Sequence, residues 1–171
     1  MDAGDTMEPS VSVPTANGAR PAATAAAESG LPIWVSWTLK DDAENVTLRS
    51  GETIAEASQA IAHIKTEARL ANCSRPEVMD AAMPQLLALG GAVGAYANGF
   101  TSVGALQHGG TVDVLEARRD LGPASYADHA GGWARQGAAI VGGCCEVGPE
   151  HIATLRDRLL DDGFELTGMP A

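Results

Sequence analysis

Four short apolar runs recur along the chain: Ile33-Trp34-Val35-Ser36-Trp37-Thr38, Arg69-Leu70-Ala71-Asn72-Cys73, Ala92-Val93-Gly94-Ala95-Tyr96 and Ala139-Ile140-Val141-Gly142. Each is bounded by turn residues, the pattern of strands buried on both faces in a parallel sheet. Helical stretches follow them at residues 53–64, 76–89, 124–135 and 149–161, the second with a break predicted at Pro84. The last is the clearest. Ile152, Leu155, Leu159 and Leu160 share a face, Pro149 suits the first turn and Gly163 supplies a stop. The order βαβαβαβα predicts a parallel α/β fold with no strict short-period repeat.

Residues 1–18 are rich in Pro, Ser, Gly and Asp and read as loop or disordered, with a short Ala-rich helix over 22–29. The expected organisation is therefore an N-terminal segment, 1–28, and one domain, 29–168. The stretch from 97 to about 122 is a long loop, and loops of that length are often functional. Cys73, Asn98, Cys144 and Cys145 all fall at or just past the C-terminal ends of predicted strands, the end where (β/α) barrels build their sites.

Charge and hydropathy exclude some roles. A formal charge of −11 with scattered Lys and Arg argues against nucleic acid. No apolar stretch approaches the ~18 residues of a membrane span, and the N-terminus has neither a basic nor an apolar leader region, so a cytoplasmic setting is expected. Three cysteines, two of them adjacent, make a poor disulfide framework and favour reduced thiols.

On alternate strands of a barrel, Cys73 and the Cys144-Cys145 pair can face a shared point. Neighbouring residues in a strand point opposite ways, so both members of the pair reach one ion only if the backbone bends, which Gly142 and Gly143 permit. Three thiolates suit Zn²⁺ and leave a fourth tetrahedral position for water or a thiol substrate. The competing readings are three inert buried thiols, or a redox pair in which Cys144 and Cys145 form a vicinal disulfide.

Val141-Gly142-Gly143-Cys144-Cys145 followed by Gly148-Pro149-Glu150-His151-Ile152 resembles the C-terminal signature of the zinc-dependent homocysteine S-methyltransferases. Asn72-Cys73-Ser74-Arg75-Pro76-Glu77 is similar to that family's other cysteine motif, and Trp34-Val35-Ser36-Trp37 and Gly94-Ala95-Tyr96-Ala97-Asn98-Gly99 match further strands in order. The likeness covers roughly residues 29–165. It implies a TIM-type (β/α)8 barrel represented by its C-terminal half, about units 5–8. It also implies Cys73, Cys144 and Cys145 as zinc ligands with no catalytic residue beyond them, homocysteine as the fourth sulfur and methionine as product. The donor would be a sulfonium or ammonium compound such as S-methylmethionine, betaine or S-adenosylmethionine.

The family's first-strand Asp-Gly segment and the fourth-strand glutamate that holds the amino-acid part of homocysteine have no clear match; Asp5-Thr6-Met7 is at most a faint echo of the latter. A half barrel leaves strand edges open, which predicts self-association or a complementing N-terminal half, and a noncatalytic zinc-binding fragment or subunit is the alternative reading. Asn98 is a candidate for holding substrate polar groups, or a turn residue before Gly99. Ser36 and Thr38 read chiefly as strand packing. Trp34 and Trp37 read as lying on opposite sides of their strand, His151 as a surface residue and Asp161-Asp162 as a solvated helix end. His63, His108 and His129 lack metal-like spacing to the cysteines.

Overall fold

The computed structural model describes residues 10–13, 16–104 and 111–167. Five strands, β1 (Ser10–Val13), β2 (Trp34–Thr38), β3 (Ala68–Asn72), β4 (Ala92–Ala97) and β5 (Ile140–Gly143), form one sheet. The helices are α1 (Ala16–Ala27), α2 (Ile54–Ala60), α3 (Pro76–Leu87), α4 (Pro123–Gln136) and α5 (Pro149–Asp161). All strand pairs are parallel and the spatial order follows the chain order without reversal. Right-handed crossovers in unreversed order put the helices on one side of the sheet, the arrangement of a barrel wall rather than of a doubly wound sheet. The fold is half of a (β/α)8 barrel, as the family resemblance implies.

Alternation along the strands separates two layers. Val35, Trp37, Ala71, Val93, Ala95 and Ala97 face the helices and pack with Val78, Met79, Met83, Leu86, Tyr126, Trp133, Leu155 and Leu159 into one core. Ser36 and Tyr96, on alternate strands, point to the other face, and their hydroxyls are hydrogen-bonded to each other. Trp37 is fully buried, whereas Trp34 is half-buried and lines a groove with Ala139, Ile140 and Leu166. At Gly94 a Cβ would sit 1.9 Å from the Ile140 carbonyl oxygen, so the close approach of β4 and β5 requires glycine there.

Three local expectations are corrected. Ser10–Val13, read as loop, is a strand in register with Trp34–Trp37, so the sheet begins well ahead of residue 29. Its four residues carry too little pattern to stand out, and the pairing that makes them a strand is with a distant segment. The Ala-rich helix begins at Ala16 rather than 22. Finally, α3 runs unbroken through Pro84. Pro84 lies on the exposed face, clear of the buried stripe anchored by Val78, Met79, Ala82, Met83 and Leu86. Asp5-Thr6-Met7 and His108 lie outside the described residues.

Candidate metal centre

The sheet delivers the three cysteines to one point. Their Sγ atoms lie within 4.8 Å of one another, in the one group of metal-ligating side chains of this kind among the described residues. Cys73 and Cys144 are half-buried and Cys145 is exposed; all three are free thiols, with Cys144 Sγ and Cys145 Sγ 3.8 Å apart.

Backbone hydrogen bonds carry the strand pairing past the strand ends and build both turns. Cys73 N–H donates to Tyr96 O at 3.1 Å, Asn98 N–H to Ser74 O at 3.0 Å, Cys144 N–H to Ala97 O at 2.9 Å, and Gly99 N–H to Cys145 O at 2.8 Å. Cys73 itself adopts φ +49°, a left-handed conformation unusual for a residue with a Cβ. The second turn is closed by Val147 N–H donating to Cys144 O at 3.1 Å, with Glu146 at φ +63° in a position where glycine is usual.

This geometry corrects the reason predicted for the bend. Gly142 and Gly143 remain in β5, and the left-handed residue is Glu146. Gly143 is needed for space: a Cβ there would come within 2.2 Å of Val147 Cγ1.

Polar side chains hold the turns. Ser74 Oγ, fully buried, accepts from Leu39 N–H at 2.9 Å and lies 3.1 Å from Leu39 O. Arg49 donates from Nη2 to Cys73 O at 2.9 Å and from Nε to Leu39 O at 3.4 Å. Asn98 is fully buried; its Oδ1 accepts from Phe100 N–H at 3.1 Å and its Nδ2 lies 3.9 Å from Cys73 Sγ. Beneath β5, Tyr126 hydroxyl donates to Gly142 O at 2.6 Å and accepts from Ala97 N–H at 3.2 Å. His151, expected at the surface, is half-buried and edge-on to the Tyr126 ring at 5.9 Å. Its Nδ1 accepts from Gly148 N–H at 3.2 Å, so Nε2 carries the proton and donates to Leu121 O at 3.2 Å.

The thiols share charge unequally. Hydrogen bonding from Cys144 is the largest influence on Cys73, and with Asn98 and the Arg49 cation it outweighs burial and lowers the Cys73 thiol to about 6. Cys144 moves the opposite way, because it is the donor to Cys73 and is itself buried beside that charge. Burial also pushes the Tyr126 hydroxyl up, leaving it a neutral hydrogen-bond donor.

The described parts of the long loop, up to residue 104 and from 111 onward, are tied to the rest of the fold. Phe100 and Ala117 form an antiparallel bridge, and a 3-10 turn spans Val112–Val114. Arg118 pairs with Glu77 at 2.6 Å and Asp120 at 2.6 Å, and Asp41 accepts from Val103 N–H at 2.8 Å. His129, far from the thiols in sequence role, binds Asp80 at 2.7 Å on the α3–α4 seam; His63 is exposed.

Comparison with known proteins agrees with this architecture. The homocysteine S-methyltransferase family profile matches residues 11–159. Among solved structures, the apo form of the homocysteine methyltransferase MmuM from Escherichia coli aligns with a TM-score of 0.65 and 24% identity, over 90% of this chain and 51% of that one. The metallated form of the same enzyme gives a TM-score of 0.61 and 25% identity, over 85% and 42%. The chain thus spans about half the length of these solved relatives. No curated protein matches.

Proposed function

The chain belongs to the homocysteine S-methyltransferase family, and from that premise we propose that it carries the zinc and thiol-activating part of a homocysteine S-methyltransferase. The observation that supports this reading is the convergence of Cys73, Cys144 and Cys145 within 4.8 Å. The donor set fits the ion: three sulfurs on stiff turns, one exposed toward solvent, match a zinc centre with an open position. When bound there, Zn²⁺ supplies the Lewis acidity that keeps a substrate thiol deprotonated at neutral pH.

The chain's own residues have simpler tasks. Cys73, Cys144 and Cys145 would hold the ion, and Cys73, already drawn toward the thiolate by Cys144, would enter with little protonation to overcome. Asn98, fully buried at 3.9 Å from Cys73 Sγ, would orient that ligand; holding the polar groups of homocysteine would need a shift that exposes it. The methyl donor, whether S-methylmethionine, betaine or S-adenosylmethionine, would approach from the exposed Cys145 side, its C–S or C–N bond breaking as the homocysteine sulfur takes the methyl group, so that methionine forms and the donor departs as a neutral thioether or amine. Reduced thiols suit the cytoplasmic setting expected above. Among the described residues no helix is long and apolar enough to cross a membrane.

Among the described residues β1 and β5 lie at the two edges of the sheet, which supports completion by further strands, from a second copy or from a separately encoded N-terminal half. That half-length span also favours a second reading, a noncatalytic metal-binding subunit.

Purified reduced protein is expected to hold about one zinc per chain, lost on Cys73→Ala. Methyl transfer from S-methylmethionine to homocysteine is expected to be weak or absent for the chain alone. Failure to retain zinc sinks the metal assignment, whereas zinc retention with methionine formation unaffected by Cys73→Ala sinks the proposed use of the thiols.

A further inference from the structure

We infer that Arg49 is a positioning residue for the thiol centre, one whose guanidinium fork ties the Cys73 carbonyl to the end of β2 and so holds Cys73 Sγ toward Cys144 and Cys145. The inference rests on the metal reading above for its significance, and on separate observations for its geometry.

Cys73 sits at φ +49°, a conformation that disfavours any residue with a Cβ unless its surroundings impose it. Its N–H is tied to Tyr96 O, which fixes one side of the residue. The other side is fixed by Arg49, with Nη2 2.9 Å from Cys73 O and Nε 3.4 Å from Leu39 O. Arg49 is a stiff point from which to hold a neighbour. It lies next to the Leu39–Leu48 bridge, its own N–H donates to Thr38 O at 3.2 Å, and its side chain is half-buried. A planar guanidinium can satisfy two carbonyls at once, which a lysine ammonium on a flexible stem does less well.

Charge points the same way. Three thiolates around a divalent ion leave one negative charge, and a thiolate substrate adds a second. The Arg49 cation, hydrogen-bonded to the Cys73 carbonyl at 2.9 Å, stands beside that charge.

Arg69 provides a matched control. It is also half-buried and its guanidinium also holds carbonyls, those of Leu89 and Gly90, but at the opposite end of β3. A merely structural arginine therefore has the Arg69 behaviour: its loss lowers the unfolding midpoint without changing the metal centre.

The test is titration of reduced protein with Co²⁺, read by its sulfur-to-metal charge-transfer absorption and by competition with Zn²⁺. Arg49→Met is expected to weaken Co²⁺ binding by about 10-fold or more, in the range seen for lost outer-shell partners, and to alter the absorption. Arg49→Lys should fall between it and the unaltered protein, and Arg69→Met should bind as the unaltered protein does. Binding by Arg49→Met as tight as by Arg69→Met overturns the inference. If Arg49→Met does not fold, Arg49→Lys decides, with unaltered affinity and spectrum as the refuting result.

If the unaltered protein takes up no Co²⁺, the metal reading fails, and the positioning role is read instead from thiol proximity. On oxidation with diamide, which takes up the two electrons and two protons of each thiol pair, Cys73 should join Cys144 or Cys145 in the unaltered protein and in Arg69→Met. It should remain alkylatable in Arg49→Met; equal crosslinking in all three refutes the role.

Discussion

The two cysteine-bearing turns do the same job by different means. After β3, Cys73 is a single left-handed residue held mostly by side chains: Arg49 on its carbonyl, Ser74 bridging to Leu39, and Asn98 beside its sulfur. After β5, Cys144 and Cys145 lie in a more open turn held by backbone hydrogen bonds and by small residues below it, with Tyr126 and His151 bracing from the helix side. The first turn places one half-buried sulfur rigidly. The second brings two sulfurs together and leaves one exposed. A centre that must both fix an ion and admit a ligand benefits from that division, since the open side lies where the backbone, rather than bulky side chains, does the holding.

The largest effect on stability is expected at the β5 turn. Tyr126 is fully buried, and Tyr126→Phe removes the donor to Gly142 O and the acceptor for Ala97 N–H. Leaving buried backbone groups without these partners should lower unfolding free energy by about 1–3 kcal/mol in urea titrations. Cys145 alkylation should quicken while that of Cys73 is unchanged, because the β3 turn has its own clamps. Equal acceleration at both would show that the turns are not held independently.

The backbone of the β3 turn can be isolated by removing the thiol in two ways. Cys73→Gly should be more stable than Cys73→Ala by about 1 kcal/mol, because glycine accepts φ +49° without a Cβ penalty. At Cys144, which has no positive φ, the order should reverse, with alanine the more stable. Chemical denaturation of the four metal-free variants checks this, and the same order at both sites would erase the contrast between the turns.

Much of this contrast was hidden in the sequence for a definable reason. The strands are legible because burial on both faces writes a local run: β2 differs from its predicted range by one residue, and α5 matches its range. Strand order brings Cys73 and the Cys144-Cys145 pair to one end of the sheet, while their meeting at one point also needs the turn after β5. What the pattern does not carry is conformation decided by distant partners. Nothing adjacent to Cys73 or Glu146 signals a left-handed backbone, since neither is glycine or asparagine, and nothing near Arg49 announces that its guanidinium reaches across to β3. His151 follows Pro149 at a helix start and looks superficial, yet the Leu121 carbonyl and the Tyr126 ring reach it from segments 30 and 25 residues away. The short strand Ser10–Val13 is likewise defined by its register with β2.

The helices that flank the two turns are joined by a contact whose strength should depend on pH. Asp80, on the helix that leaves the β3 turn, accepts from Trp133 Nε1 at 2.6 Å and pairs with His129 Nδ1 at 2.7 Å, both on the helix that underlies β5. The Asp80 hydrogen bond, reinforced by the charges of Asp80 and Glu77, raises the His129 imidazolium above its ordinary 6.5 despite partial burial and the opposing Arg118. A group whose folded pKa is raised binds protons more tightly in the folded state. Its stabilisation is therefore complete below the unfolded value and disappears as pH rises through the folded one. His129→Gln should accordingly destabilise more at about pH 5.5 than at about pH 8.5, by a modest margin because both side chains are partly exposed. Thermal unfolding at the two pH values measures it. A variant whose deficit is the same at both would mean that the ring joins α3 to α4 by shape alone, and that Trp133 rather than charge holds Asp80 to α4.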